Sequence, residues 1–421
     1  MIAKRGDAMK TKQFVCLVGS LMCWGGLGTV AYAAPPAGTA AAPGATSPVA
    51  KRPAWVRKAD KGFFDDAMAI DPEKGLVAVI RTDSASFADL ELFDLNKKTK
   101  VTGFPLGSPQ DIFDAIAFTG QGRSVVVVVR DNKTGQRVAQ RFDDDGKPAG
   151  LVGPAADIGF ATRGTQRLLV RWDRAKDKKG QNQFIVTMFD LANLTVVGKP
   201  RVLPSDGADR LVKPALSILS WTDGYTQIFG QEPGGYDKAK DMRLPDRAAL
   251  FDVLKGEITW RGDVSDVVGW AAVNQLRRRR PGRSLFMDIP EDQSRLDVVN
   301  GLGVRVPAKL AVPFEMYDLR SLMEREAPHE GALYFSLTVD TLNPAALEKK
   351  KADTPKLDIY RLAASNSLTA AAPGVVPQHL LRAPMDDRPV RWNIAGPWVV
   401  ILRKFKSFAR GGEVLEIYKQ P

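Results

Sequence analysis

The chain has 421 residues, with 60 Lys and Arg against 48 Asp and Glu for a formal charge of +12, 44% hydrophobic residues, two His and two Cys. Two histidines exclude a metal site built on three imidazoles and the multi-histidine copper clusters of some exported proteins. The basic excess favours anionic partners.

In chain order the first predicted element is an export signal. Lys10-Thr11-Lys12 precedes an apolar run from Phe14 to Val30, and Ala31-Tyr32-Ala33 has the small-x-small form of a signal-peptidase site. The leader is therefore expected to span residues 1–33, with Met9 the better initiator because it sets the basic residues directly before the apolar core. Gly19, Gly25, Gly26 and Gly28 make the run a poor membrane span, so no transmembrane segment is expected in the mature chain. Cys16 and Cys23 lie within the leader, and Ser20-Leu21-Met22 lacks the small residues that precede a lipidated cysteine. The mature protein, beginning at Ala34, is then free of cysteine, which excludes disulfides, thiol catalysis and thiolate metal sites. Loss of Lys4, Arg5, Lys10, Lys12 and Asp7 with the leader lowers the charge from +12 to +9. Such a protein is expected in the periplasm or outside the cell, where nucleic acid is a poor partner, and the chain shows no recognition-helix pattern.

Residues 34–52 are dominated by Ala, Pro, Gly, Thr and Ser without periodicity and read as a disordered linker. A single domain is expected over residues 53–421.

Within it one strand type recurs, alternating and ending on an aromatic residue or Val. Clear copies are Leu90–Leu95, Val186–Leu191 and Ala248–Val253; weaker ones are Val138–Asp143, Leu296–Asn300, Leu357–Arg361 and Val414–Tyr418. Taking 93, 142, 189, 251, 299, 360 and 418 as equivalent gives steps of 49, 47, 62, 48, 61 and 58 residues. Each copy follows a very apolar strand: Leu76–Ile80, Val125–Val129, Leu168–Val170, Gln227–Phe229, Ser284–Met287, Leu333–Leu337 and Trp398–Leu402. Before these come an inner strand and a Gly-containing turn, clearest at Ala67–Ile70 with Asp71–Gly75 and at Ala115–Phe118 with Thr119–Arg123. The five-valine run from 125 suits a strand packed on both faces. Long steps mark insertions around Gly234-Gly235 and from Leu342 to Pro355, where Pro344–Lys349 could form a short helix.

Repeats of this length with several strands each predict an all-β, seven-bladed β-propeller at about 52 residues per blade, with six or eight blades as alternatives. The pattern from about residue 55 to 421 resembles the bacterial exported propellers of WD-repeat-like and YVTN-like type and, more loosely, the propeller of the periplasmic translocation protein TolB. None of the repeats carries the Gly-His and Trp-Asp pair of true WD repeats or the Ser-Pro-Asp-Gly turn of TolB blades. The resemblance implies a ring closed by an N-terminal strand, which places Trp55–Ala59 beside Glu413–Tyr418.

Three features bear on function. Asp66, Asp114, Asp157, Asp266 and Asp387 each stand one or two residues before an apolar or aromatic strand start, where inner strands are expected to begin. Together they are expected to ring one channel mouth, where hard oxygen ligands could hold Ca²⁺ or attract a cationic segment. The competing reading gives each carboxylate a local turn to cap. Arg277, Arg278, Arg279, Arg280 and Arg283 form a loop on the opposite face that could grip phosphate or carboxylate bidentately, or could be plain solvated charge. His329 and His379 lie in polar, Pro-flanked stretches and read as exposed loop histidines. Trp55, Trp172, Trp221, Trp260, Trp270, Trp392 and Trp398 read as blade packing.

A Gly-x-Ser-x-Gly elbow is missing, and so are a heme-attachment Cys-x-x-Cys-His and the tryptophan-docking motifs of quinoprotein blades. Adjacent acids such as Asp65-Asp66 and Asp386-Asp387 point to opposite faces of a strand and cannot flank one glycosidic bond. The expectation is a non-catalytic binding or scaffold protein of the periplasm or cell envelope, without a cofactor unless Ca²⁺. It would take a protein, a peptide, or an anionic polymer or lipid headgroup on its faces. The alternative is a propeller hydrolase, a lactonase or glycan-processing enzyme working with channel carboxylates.

Overall fold

The computed structural model describes residues 52–420 apart from 84, 109, 164–165, 177, 181, 204–216, 221–225, 233–235, 244–245, 253–256, 265–284, 291–294, 300–303, 313, 328–331, 340–355, 364–373, 385–388 and 404–411. The expected leader and nearly all of the linker, the inner strand at 267–273, the short helix at 344–349 and the insertion at 342–355 lie outside the described residues.

The described residues fall within one compact unit, Thr46–Pro421, and are arranged in strands with one short 3₁₀ turn among them, Phe314–Met316. The sheets are antiparallel and follow one another along the chain. Sheet one comprises Phe63–Asp71, Leu76–Thr82, Ala88–Asp94 and Thr99–Pro105. Sheet two comprises Ile112–Phe118, Val125–Arg130, Arg137–Phe142 and Pro148–Ala155. Sheet three is Asp157–Arg163, Gln166–Lys176, Asn182–Asp190 and Arg201–Leu203. Sheet four is Ser217–Ser220, Thr226–Glu232, Asp246–Asp252 and Glu257–Val264. A two-stranded hairpin, Tyr236–Asp237 with Met242–Arg243, follows its second strand, next to the insertion expected around Gly234-Gly235. Sheet five has three described strands, Phe286–Asp288, Asp297–Val299 and Arg305–Pro307. Sheet six is Tyr317–Ala327, Ala332–Val339, Lys356–Ala363 and Gln378–Pro384. Sheet seven takes Pro389–Ala395, Trp398–Arg403 and Val414–Lys419 from the C-terminus and Trp55–Lys58 from the N-terminus.

The apolar runs are second strands, and the recurring aromatic strands are the third strands of the four-stranded sheets and the middle strand of sheet five. Alternation explains why the second strands are continuously apolar, since successive side chains leave opposite faces and both faces meet a neighbouring sheet. In sheet one, Val77 and Val79 pack with Trp398, Val400 and Ile417 of sheet seven, while Ala78 and Ile80 pack with Phe113 and Ile116 of sheet two. In sheet two, Val125 and Val127 face sheet one, and Val126 and Val128 meet Ile158 and Leu169 of sheet three. Sheets five and six join through Val298, Val306, Leu333 and Phe335, and sheets six and seven through Tyr334, Ile359, Trp392 and Ile401. Each fully buried Val, Leu or Ile contributes about 1.5–3 kcal/mol, so these layers are the main source of stability.

The expected closure is present: Trp55 pairs with Ile417, Val56 with Glu416, Arg57 with Leu415 and Lys58 with Val414. Trp55 also meets Phe93 edge-on at 5.5 Å, which ties the closing strand to sheet one as well.

Candidate functional site

The inner edge of the first sheets carries the acids singled out by the sequence. The strands Phe63–Asp71 and Ile112–Phe118 slip register between Phe64 and Met68 and between Phe113 and Ala115. Asp66 and Asp114 therefore sit in bulges, which re-aim side chains away from the pleat. Asp157 opens its strand, opposite Trp172. Neighbouring Asp65 is buried, and its Oδ1 accepts the N–H of Ala67 at 3.1 Å, a local cap inside the bulge.

Arginines stand at these carboxylates. Arg137 Nε donates to Asp114 Oδ2 at 2.7 Å and lies 3.1 Å from Asp157 Oδ1, and its NH1 donates to the Ala156 carbonyl at 3.1 Å. Arg130 adds a second cation 3.2 Å from Asp114. One guanidinium thus joins sheets two and three. Burial pushes the Asp157 carboxyl upward, opposed by the Arg137 charge, the Ile158 N–H and the Trp172 indole. Asp66 faces Arg391 of sheet seven at 3.9 Å. Asp114 and Asp157 are brought together, and Asp66 is engaged by a different sheet. Asp266, Asp387 and all five arginines, Arg277, Arg278, Arg279, Arg280 and Arg283, lie outside the described residues.

Sheet six holds a second polar constellation. Asp358, fully buried on the third strand, has a donor for each lone-pair direction. Arg382 gives Nε to Oδ1 at 2.7 Å and NH2 to Oδ2 at 2.5 Å, His379 Nε2 lies 3.1 Å from Oδ1, and the Tyr317 hydroxyl donates to Oδ2 at 2.9 Å. Because Tyr317 spends its proton on Asp358, the 2.6 Å contact to Tyr360 must be donated by Tyr360, whose oxygen in turn accepts the Ala311 N–H at 3.2 Å. His379 Nε2 must likewise carry a proton. Burial alone would raise the Asp358 carboxyl, but the hydrogen bonds and charges of Arg382 and His379 outweigh it and hold the group below its ordinary value. Burial and the nearby carboxylate push both tyrosines well above the ordinary phenol range.

His379 corrects one expectation. It lies on the fourth strand of sheet six rather than in an exposed loop, with its ring edge-on to Tyr360 at 5.0 Å. His329 lies outside the described residues. The sequence does carry a trace of this network: Asp358 interrupts Leu357–Tyr360, and His379 and Arg382 flank Leu380-Leu381. Charged residues inside apolar strands are buried only when paired. The arginines at the sheet-two edge left no comparable trace, because Arg130 and Arg137 stand at strand ends where exposed charge is ordinary.

Tryptophans serve packing where they are described. Trp392 Nε1 donates to Ser336 Oγ at 2.9 Å between sheets six and seven, and Trp398 and Trp172 are buried. Among the described residues no three His, Cys, Asp or Glu side chains come together as a metal-binding group, and no helix is long and apolar enough to cross a membrane.

No family model matches the chain, and no curated protein matches it. Solved structures with a similar course of the chain include one from the mitotic checkpoint complex, at 14% identity and TM-score 0.44, covering 91% of this chain and 98% of that one. Another is the β-propeller domain of the Trilobed protease from Pyrococcus furiosus, at 11% identity and TM-score 0.42, covering 88% and 94%. A third is an acylaminoacyl peptidase in complex with a chloromethyl ketone, at 12% identity and TM-score 0.39, covering 85% and 52%. Successive four-stranded antiparallel sheets packed face to face, with the N-terminal strand completing the C-terminal sheet, define the class: this is a β-propeller.

Proposed function

We propose that the chain is an exported seven-bladed propeller acting as a non-catalytic binding or scaffold protein of the periplasm or cell envelope, with a protein or peptide as its partner. The observation that carries this reading is the pairing of the inner-edge acids. Asp114 and Asp157 share Arg137, and Asp66 faces Arg391. A carboxylate whose oxygens are taken up by a guanidinium is a poorly available nucleophile, and these pairs join one sheet to the next. Seven blades follow from the seven sheets if the residues before Phe286 supply the first strand of sheet five. The Arg277–Arg280 and Arg283 loop remains the proposed contact for acidic groups of the partner, and the edge at Asp66, Asp114, Asp157, Asp266 and Asp387 the proposed channel mouth.

Two measurements test this. N-terminal sequencing of the protein recovered from the envelope fraction is expected to begin at Ala34; recovery in the cytosol with an intact leader overturns the export reading. The purified protein immobilised on resin should retain a discrete partner from envelope extract, and replacing Arg277, Arg278, Arg279, Arg280 and Arg283 with Ser should weaken that retention. Turnover of lactone or glycan substrates that is lost in Asp114→Asn or Asp157→Asn would overturn the non-catalytic reading.

A further inference from the structure

The connections between second and third strands leave sheets two, three and four at the end where the first strand of each sheet begins. In sheet two, Ile112 pairs with Arg130 and Arg130 with Arg137, which puts the 131–136 loop at that end. In sheet three the second and third strands overshoot: Asp157 pairs with Trp172, yet the hairpin continues to the pair Lys176 and Asn182. Four further residues at roughly 3.3 Å each carry it about 13 Å beyond the start of the first strand. Sheet four repeats this, with Ser217 paired to Phe229 and the second strand running on to Glu232, ahead of the Tyr236–Asp237 and Met242–Arg243 hairpin.

The tips are basic. Residues 131–136, 176–181 and 236–243 contain seven Lys and Arg against four Asp. Lys133, Lys176, Lys178, Lys179, Lys238 and Lys240 are all exposed. Two of the four acids cap their own turns: Asp131 accepts the N–H groups of Lys133 and Thr134, and Asp237 those of Ala239 and Lys240, with the Lys240 ammonium a further 3.9 Å contact. On the second strand of the two-stranded hairpin that follows Glu232, Met242 is 48% exposed, two residues after Lys240.

We propose that these three connections dock the protein on an anionic phospholipid surface. The feature that selects a bilayer over a discrete anion is the use of lysine. Ammonium groups are compact, hydrated point charges on flexible stems, suited to diffuse attraction toward a charged layer rather than to bidentate recognition of one group. The second strands of sheets three and four both run past the start of their first strands, so lysines from adjacent sheets can reach one plane together. An exposed methionine among them can enter the boundary between headgroups and acyl chains, as the apolar residues of interfacial segments do. These lysines lie at the same end of the sheets as Asp114 and Asp157 but are residues other than the acids and arginines named above, so the proposal adds to that function and does not depend on it.

The test is sedimentation of the purified protein with phosphatidylcholine vesicles that contain or lack phosphatidylglycerol. Binding is expected only with the anionic lipid and should fall at high salt. The variant carrying Lys176→Gln, Lys178→Gln, Lys179→Gln, Lys238→Gln and Lys240→Gln should lose at least about 20-fold in partition, the effect of only two of the five reaching the surface at roughly fivefold each. Met242→Ser should lose the part of the binding that survives high salt. Lys97→Gln with Lys98→Gln, on a third-to-fourth connection at the opposite end of sheet one, is the charge control and should bind like the parent. Thermal melting of each variant confirms folding. Undiminished binding by the five-lysine variant, or an equal loss in the Lys97 and Lys98 control, overturns the proposal. Lysine-dependent capture of soluble polyglutamate without any binding to vesicles overturns it in favour of an acidic polymer.

Discussion

At the residue scale, two aspartates have opposite electrostatic balances and so predict opposite outcomes. Asp358 is fully buried yet held charged by Arg382 and His379, with its pKa depressed. Its contribution to stability is therefore present above the carboxylate pKa of the unfolded chain, about 3.9, and is lost as pH falls through the lower folded value. Asp358→Asn leaves Arg382 buried without its counter-charge and is expected to destabilise by about 3 kcal/mol at neutral pH. That difference should narrow toward acid. Asp157 is the reverse case, with burial raising its pKa against Arg137. Its contribution is fully present below the unfolded pKa and is lost as pH rises through the folded one, so Asp157→Asn should leave the melting temperature at neutral pH unchanged or raised. Thermal melts of both variants at about pH 7 and about pH 4 check the pair. Equal losses in the two would contradict this account. The sequence exposed Asp157 as a candidate but gave no sign of its environment, because burial and an arginine 20 positions away are set by strand pairing.

At the element scale, two short segments carry unusual weight. Gly62 precedes the first strand of sheet one at φ +68°, and a Cβ there would stand 2.2 Å from the Thr82 carbonyl oxygen. Backbone cannot yield as a side chain can, so Gly62→Ala is expected to cost about 2 kcal/mol, measured by denaturant unfolding. The closing strand is the second segment. Its hydrogen bonds extend beyond the strand itself, from Ala54 N–H to Ile417 O and from Ala59 N–H to Glu413 O. Deleting residues 53–59 exposes the edge of Val414–Lys419 and uncovers Phe93, and is expected to lower the melting temperature and promote aggregation through the bare edge. Light scattering and calorimetry together read both effects. The apolar second strands were legible in the sequence because they are buried on both faces. The fourth strands were not: Pro148–Ala155 alternates between exposed and half-buried positions, with buried residues only at Val152 and Ala155, and an outer strand with a solvated face leaves little apolar signal.

At the scale of the whole molecule, contiguous apolar layers run from sheet five through six, seven, one and two to three. Each sheet is buried by its neighbours, so its stability depends on theirs. Calorimetry is expected to show a single unfolding transition that Asp358→Asn in sheet six and Gly62→Ala before sheet one both shift. Two separate transitions, each moved by only one variant, would show that the sheets unfold independently.

The sequence by itself determined the all-β class, the strand order within the repeats whose four strands are described, the closing partner of the C-terminal strand and the position of one insertion. All of these rest on local alternation and turn chemistry, which the order of residues records directly. Only the tertiary structure decided which charges meet. Asp114 and Asp157 share an arginine because pairing sets Arg137 between sheets two and three. His379 is drawn from an apparently polar loop onto a strand because Asp358, 21 positions earlier, lies beside it across the pairing of the third and fourth strands. Such pairings are fixed by register and by packing between sheets, neither of which is written within the reach of any local pattern.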